Sequence, residues 1–493
     1  MKKTKKTKKT KKKPVRKTAP SSQAALLSRF IGIVGEKNAV RGEEMLPYLR
    51  EQRDLFQGKA AMVLKPASAE EVAAILQLAD KSKTPIVPQG GNTGLVGGQV
   101  SFDKNAIILS TQRMNKIREV DAQANTMTVE SGVILQNAQE AAAKADRLFP
   151  LSLGAEGSCT IGGNLSTNAG GTQVLAYGNT RDLVLGIEVV LANGKILRGL
   201  RKLKKDNTGY DLRHLFMGAE GTLGVITAAV LKLFPAPRAI STAWIGVPSP
   251  EHALSLLNLA LSRAGTSLTS FELMPRIALE FDLRHLAGAR DPLSSPHPWY
   301  VLAEIFGDDD ARTRETMESL LAEGIEQTLV TDATLAESLE QRNLLWKLRT
   351  AMSEVQKPEG GSIKHDISVP VSSVPAFVAE ASAKVEQLIP GARVVAFGHL
   401  GDGNLHYNVS QPLGADKQQF LAKWKMLNDA VHAIVTKYEG SISAEHGIGF
   451  LKRDLLAKSK DPVALGVMQA IKHTLDPNGI LNPGKVLKAR RAS

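Results

Sequence analysis

The sequence predicts an α+β protein of more than one domain, and three features carry that expectation. From about Ala24 to Pro237, extended segments alternate with helical ones. An Asn193-Gly194 pair sits between two apolar runs, and after Pro235, Pro237, Pro248 and Pro250 longer helical patterns take over, with few glycine loops until Gly398. At roughly 150 residues per domain, a chain of 493 residues has room for two or three cores.

Each element has a local reason. Ser68-Ala-Glu-Glu71 is a capping box with Glu71 at N3, and Val72, Ile75, Leu76 and Ala79 follow at helical spacing. Pro85-Ile-Val-Pro88 is extended and runs into a glycine loop. Gly186–Ala192 and Lys195–Arg198 flank Asn193-Gly194, a strong hairpin signal. The proline cluster marks a domain boundary, and Asp476-Pro-Asn-Gly-Ile-Leu-Asn-Pro-Gly-Lys485 is a turn-rich loop. The division that follows is a tail at 1–24, a first domain at 25–237, a second at 238–450, and a segment at 451–493 that returns to the first.

The charge is confined. Met1 to Thr18 holds eleven basic residues and no acid; removing them from 62 Lys+Arg leaves 51 basic against 49 acidic residues, so +11 of the net +13 belongs to the tail and +2 to the rest. A nearly neutral body gives no ground for nucleic-acid or membrane binding, and any such binding through the tail would be an addition to the main function. The Lys-Lys-Thr repeat predicts disorder. Apolar runs stop short of the ~18 residues of a spanning helix. A lone Cys159 and a tail without a secretory or transit pattern make a cytoplasmic enzyme the expectation.

Three glycine loops carry the chemistry of the first domain. Pro88-Gln-Gly-Gly-Asn-Thr-Gly-Leu-Val-Gly-Gly98 has five glycines in eleven residues after a strand. Backbone N–H groups converge on an anion only where side chains leave them accessible, so this loop reads as a phosphate cradle. Gly154 to Gly171 adds Ser, Thr and Asn groups suited to a polar heterocycle, and Gly218-Ala-Glu-Gly-Thr-Leu-Gly-Val-Ile226 is a third such loop. Neither a G-x-G-x-x-G fingerprint nor a P-loop occurs.

Pro88-Gln-Gly-Gly-Asn-Thr-Gly94, Gly157-Ser-Cys-Thr-Ile-Gly-Gly-Asn164 and Gly221-Thr-Leu-Gly-Val-Ile226 resemble the FAD-binding loops of the vanillyl-alcohol-oxidase/p-cresol-methylhydroxylase superfamily. The chain is most similar to its FAD-dependent D-2-hydroxyacid dehydrogenases, of the D-2-hydroxyglutarate type. The resemblance implies a two-part FAD-binding domain and an α+β substrate (cap) domain with an antiparallel sheet. It implies FAD contacts from Pro88, Gly90, Gly91, Asn92, Thr93, Gly94 and Leu95; from Gly154, Gly157, Ser158, Thr160, Gly162, Gly163, Asn164, Asn168, Ala169 and Gly170; and from Gly221, Gly224, Ile226 and Asn482. Some relatives attach FAD through a His in the first loop; Asn92 lies in that region here, so noncovalent FAD is expected.

Val394-Val-Ala-Phe-Gly-His-Leu-Gly-Asp-Gly-Asn-Leu-His-Tyr-Asn-Val409 reads as a hairpin. A Gly401–Asn404 turn would set Leu400 opposite Leu405, His399 opposite His406 and Phe397 opposite Asn408, the imidazoles being ~4.5–5.5 Å apart at Cβ, within reach of one ion. Glu445-His446, in a glycine-flanked loop, adds a carboxylate and a third imidazole. Two His and one carboxylate suit Zn²⁺, with Mn²⁺ and Fe²⁺ open. The resemblance implies that His399, His406 and Glu445 are the metal ligands, His446 the base, and Asn408 a contact to the α-hydroxyacid end.

Arg349 and Ser353 are four apart in a helical pattern, and Lys364 follows the break Lys357-Pro-Glu-Gly-Gly361. Two cations and a hydroxyl can hold a carboxylate, though a solvated helix face has the same look. The resemblance implies contact of these three with the distal carboxylate, with Ser353 where relatives have Thr. The function implied is oxidation of D-2-hydroxyglutarate to 2-oxoglutarate; a D-lactate or broad D-2-hydroxyacid (including glycolate) dehydrogenase is the alternative. An electron acceptor such as an electron-transferring flavoprotein, quinone or cytochrome follows by resemblance, and a homodimer is the default assembly.

Overall fold

A computed structural model describes residues 22–489. The Lys-rich repeat and its expected disorder lie outside these residues, and 22–24, counted with the tail above, already belong to helix α1 (Ser22–Val34). Strands β1 (Ala39–Val40), β2 (Met62–Leu64), β3 (Ile86–Gln89) and β4 (Ile107–Ser110) form a sheet in the order β1-β2-β4-β3, with β2 and β3 parallel to β4.

Helix α2 (Ala69–Ser82) covers this sheet. Ser68 Oγ accepts the Glu71 N–H at 3.2 Å, and the Glu71 carboxylate takes the Ala67 N–H at 2.8 Å, so the box closes one residue early. Its buried stripe of Val72, Ile75, Leu76 and Ala79 explains why the helix stays on the sheet. Each large aliphatic there contributes roughly 1.5–3 kcal/mol. Ile480 and Asn482 hydrogen-bond to Ile86 at 2.8 Å, so the chain's last turns lie beside β3.

A second, antiparallel sheet runs β5-β6-β9-β7-β8, from β5 (Ile117–Asp121), β6 (Thr126–Glu130), β7 (Val184–Val190), β8 (Ile196–Gly199) and β9 (Val225–Lys232). The Asn-Gly hairpin forms: Leu191 N–H bonds Lys195 O at 2.9 Å, which leaves Ala192, Asn193 and Gly194 as a three-residue loop with Gly194 at φ 77°. Helix α3 (Ile161–Thr167) packs on this sheet and carries the second glycine loop.

The third sheet has seven antiparallel strands in the order β13-β10-β12-β11-β15-β16-β14. They are β10 (Ala239–Val247), β11 (Leu268–Pro275), β12 (Trp299–Gly307), β13 (Asp332–Leu335), β14 (Ser362–Ser368), β15 (Arg393–His399) and β16 (Asn404–Ser410). Alternation assigns the two faces. Leu405, Tyr407 and Val409 join the core under α4 (Pro250–Ala264), α6 (Asp310–Glu326), α8 (Val374–Leu388) and α9 (Trp424–Lys437). Val395 and Phe397 face the other way, with Leu302 and Tyr300, toward α5 (Arg276–His285) and α7 (Leu339–Ala351). That second face also carries the polar groups of the site. No helix of the described residues is long and apolar enough to cross a membrane.

Candidate active site

The histidine hairpin forms with a different register from the one its sequence suggests. His399 pairs with Asn404 and Phe397 with His406, around a 3₁₀ turn at Leu400–Asp402; Val395, not Phe397, lies opposite Asn408. Gly403, at φ 77°, closes that turn in the left-handed region and moves the loop one residue toward the N-terminus. The two imidazoles become diagonal neighbours on one face, with ring centroids 5.6 Å apart.

Glu445 completes the group. Its oxygens lie 3.5 Å from His399 Nε2 and 4.0 Å from His406 Nε2, and one donor atom from each of the three residues lies within 4.8 Å of the others. Zn–N bonds of about 2.0–2.1 Å place tetrahedral ligands about 3.3 Å apart, so the triad fits a Zn²⁺-sized ion after slight closure. Burial drives His406 well below its usual value, with the His399 charge adding to the effect. Burial opposes charge on His399 too, but Glu272 outweighs it and raises the pKa to about 9. Burial, reinforced by Asp366 and Asp402 against His399, lifts Glu445 to about 7. A dication in this space would take the place of a proton on His399 Nε2, 3.5 Å from the Glu445 carboxylate.

His446 stacks beside His406 at 6.3 Å between centroids. The loop that carries it is held by Asp366, whose Oδ2 accepts the N–H groups of Glu445 at 3.1 Å and His446 at 2.9 Å and lies 3.4 Å from His446 Nδ1. Asp366 is opposite His406 on β14, and Asn404 Nδ2 donates to its other oxygen at 3.2 Å. Burial opposes its charge, but His446, Lys452 and the backbone donors hold Asp366 well below the carboxylate range. Burial depresses His446 to about 4 against the pull of Asp366, so it is a neutral imidazole near pH 7, able to accept a proton.

Lys364 and Asn408 pair across β14 and β16, one step along the ladder from Asp366 and His406. Lys364 Nζ donates to Ser353 O at 2.8 Å. Helix α7 ends at Ala351, so Ser353 lies in the turn beyond it and does not share a helix face with Arg349. Arg349 is buried, stacks on Phe397 at 4.9 Å, and donates from Nε to Glu272 Oε2 at 2.7 Å. Glu272 Oε1 in turn accepts from His399 Nδ1 at 2.6 Å. Burial opposes charge on Glu272, and Arg349 and His399 overcome it, lowering the pKa to about 2.

The glycine loops come together at the other side. A Cβ at Gly90 would strike Thr160 Oγ1, one at Gly91 the Ser158 backbone oxygen, and one at Gly221 would be 3.0 Å from Pro88 Cγ. The first loop therefore lies directly against the second and third. Asn482 Nδ2 bonds Gly98 O at 2.9 Å and Glu220 O at 2.8 Å, tying the C-terminal segment to the same cluster. Among the described residues, Asn92 Oδ1, Thr160 Oγ1, Asn164 Nδ2 and Asn482 Oδ1 are buried without hydrogen-bond partners. Such orphans around a glycine cradle fit a polar, phosphate-bearing cofactor.

Asn168 ends α3 in the left-handed region and accepts from Arg181 N–H, and Ala169 N–H bonds Asn164 O. Gly154, Gly157 and Ser158 are exposed, and Thr93, Gly94 and Leu95 are half-buried. Gly224 abuts Val189 and Phe216, and Ile226 lies in the core of the second sheet, so these two stand back from the loop cluster. The two sites touch: a Cβ on Gly170 would be 3.1 Å from Glu445 Oε1, and Glu220 accepts from the N–H groups of Ile448 at 2.7 Å and Gly449 at 2.8 Å.

Glu272, Asp366 and Glu220 are buried carboxylates at the site that the sequence does not single out. Glu272 had a signal, a single acid inside the apolar run Leu268–Pro275, and so did Asp366, two residues from Lys364 on one strand face. Their partners are 80 or more residues away in most cases, as with His399, His446 and Ile448, and no local pattern connects them.

Comparison with known proteins agrees with this architecture. Residues 60–199 match the FAD binding domain model, and residues 236–486 match that of the FAD linked oxidases, C-terminal domain. The chain is 39% identical over 463 residues to D-2-hydroxyglutarate dehydrogenase, mitochondrial, of Arabidopsis thaliana, covering 94% of this chain and 81% of that protein. It is 38% identical over 440 residues to a putative D-lactate dehydrogenase, mitochondrial, of Schizosaccharomyces pombe, covering 87% and 82%. A p-cresol methylhydroxylase structure with substrate bound superposes with a TM-score of 0.75 at 16% identity, over 96% of this chain and 98% of that one, and shares the fold. The cytoplasmic expectation is corrected by these relatives, which carry the word mitochondrial in their names. A lone buried Cys is a property that proteins of several compartments share.

Proposed function

We propose, for a chain that belongs to the FAD-linked oxidases and within them to the D-2-hydroxyglutarate dehydrogenase family, that it oxidises D-2-hydroxyglutarate to 2-oxoglutarate. The observation that carries this reading is the sheet face of His399, His406 and Lys364, against which a loop brings Glu445, to complete the triad, and a neutral His446. Bound here, noncovalent FAD supplies the hydride acceptor and a divalent cation, best matched by Zn²⁺, a Lewis acid for the α-hydroxyl and its carboxylate.

The residues divide the remaining work. His446 takes the hydroxyl proton, a role that contributes roughly 10²–10⁴ in rate. Asp366 holds its backbone and faces Nδ1, which leaves Nε2 for the substrate. Asn408 orients the hydroxyacid end. Lys364, the Ser353 hydroxyl and Arg349 receive the distal carboxylate. Lys364 is two residues along β14 from Asp366, about 6.6–6.8 Å on a strand, the scale of a five-carbon diacid. The loops Pro88–Gly98, Gly154–Gly171 and Gly218–Ile226, with Asn482, hold the FAD.

Anaerobic mixing with D-2-hydroxyglutarate is expected to bleach the flavin, and His446→Ala to retain the yellow cofactor without bleaching. Unimpaired bleaching in that variant refutes the role of His446. A broader D-2-hydroxyacid reading is favoured by the name of the fission-yeast relative and by the engagement of Arg349 with Glu272. Arg349→Ala separates the two: selective loss on the dicarboxylate supports hydroxyglutarate, and equal loss on D-lactate supports the broader range.

A further inference from the structure

Glu272 is fully buried and has two partners that belong to opposite ends of the site. A carboxylate in the apolar strand β11 persists as an anion only with compensating donors. Oε1 has His399 Nδ1 at 2.6 Å, and Oε2 accepts from Arg349 Nε at 2.7 Å, with the charge on Nη2 also 2.7 Å away but without a hydrogen bond of its own. Both contacts are structurally enforced. Glu272 pairs directly with His399 across β11 and β15, and Arg349 is pressed onto Phe397 of the same sheet face.

We propose that Glu272 is a positioning residue that couples cation binding at His399 to recognition of the substrate's distal carboxylate by Arg349. The inference rests on the metal and substrate roles proposed above. A dication on Nε2 in place of a single proton adds positive charge behind the Nδ1–H of His399, and Oε1 is drawn harder toward that ring. Oε2 then neutralises Arg349 less, and the guanidinium offers more of its charge to an incoming carboxylate. Linkage makes the effect reciprocal: a carboxylate on Arg349 turns Glu272 toward His399 and strengthens that ligand. A monocarboxylate that reaches the cation alone has no such influence.

The test uses full-length, FAD-loaded protein stripped of divalent cations by chelation. ZnCl₂ is titrated calorimetrically with saturating glutarate, which has two carboxylates and no hydroxyl, or with butyrate, which has one. Glutarate is expected to tighten Zn²⁺ binding over butyrate by roughly 5-fold or more. In Glu272→Gln, Zn²⁺ binding should weaken by roughly 10–100-fold and the advantage of glutarate should disappear. Arg349→Gln cuts the other arm, and should abolish the advantage while leaving Zn²⁺ affinity measured with butyrate no weaker than in the unsubstituted protein. Equal affinities with the two acids in the unsubstituted protein, or an advantage that survives in either variant, overturns the proposal. Flavin bleaching by D-2-hydroxyglutarate is followed in parallel on the unsubstituted protein. Coupling without bleaching faults the substrate assignment and leaves Glu272 standing; bleaching without coupling faults Glu272.

Discussion

Asp366→Asn is the most discriminating single substitution, because one carboxylate oxygen accepts the N–H of Glu445 at 3.1 Å and the N–H of His446 at 2.9 Å and stands 3.4 Å from His446 Nδ1. An amide of the same shape keeps one acceptor oxygen and turns N–H₂ toward a donor, either Asn404 Nδ2 or the Glu445-His446 backbone. A hydrogen bond to a charged group is worth about 1.5–3 kcal/mol. At about 1.36 kcal/mol per decade, loss of one such bond as His446 becomes protonated slows flavin reduction roughly 10–150-fold. The pH profile carries the second half of the prediction. The Asp366 charge raises the proton affinity of His446, which burial has already depressed to about 4. Removing that charge lowers it further, so the acidic limb of the rate moves to lower pH while the plateau falls. Anaerobic stopped-flow measurement of flavin bleaching at saturating substrate reads both. A plateau within about twofold of the unsubstituted protein, or a limb displaced to higher pH, would refute the role assigned to Asp366.

Two further outcomes test other parts of the site. Burial and the neighbouring Arg53 depress Lys364 to about 8, so its charge is present below that pH and lost as pH rises through it. KM for D-2-hydroxyglutarate should therefore climb above about pH 8 while KM for D-lactate stays flat, and Lys364→Met should raise the first at neutral pH and remove its slope; parallel climbs for both acids contradict the assignment. Gly91→Ala puts a methyl group against the Ser158 backbone oxygen, where neither side can yield cheaply. FAD affinity, measured by quenching of flavin fluorescence, should fall at least about tenfold, a cost of about 1.4 kcal/mol, and unaltered affinity would show that the two loops do not form the cradle.

Where a feature depends on neighbours in sequence, it was legible. The capping box at Ser68, the Asn193-Gly194 hairpin and the glycine loops all have the local chemistry that produces them. The histidine hairpin was readable as a hairpin, but its register was not, because a left-handed Gly403 and a 3₁₀ turn shift the loop by one residue. Period-two alternation absorbed that error: a slide that keeps both histidines on one face leaves their chemistry intact. The end of α7 before Ser353 has no local sequence signal, because the turn after Ala351 continues with helix-like spacing, Val355 N–H bonding Ala351 O at 3.0 Å.

By itself the sequence determined the elements, the cofactor loops and the residues able to act as ligand or base, since each depends on interactions within a few residues. The tertiary structure decided which of these share a site and in what charge state. Glu272 reaches His399 over 127 positions, Asp366 reaches His446 over 80, and Glu220 reaches Ile448 over 228. Burial then makes His446 neutral, while Arg349 and His399 keep Glu272 anionic against its burial, because the cost of a buried charge depends on the donors that packing brings to it.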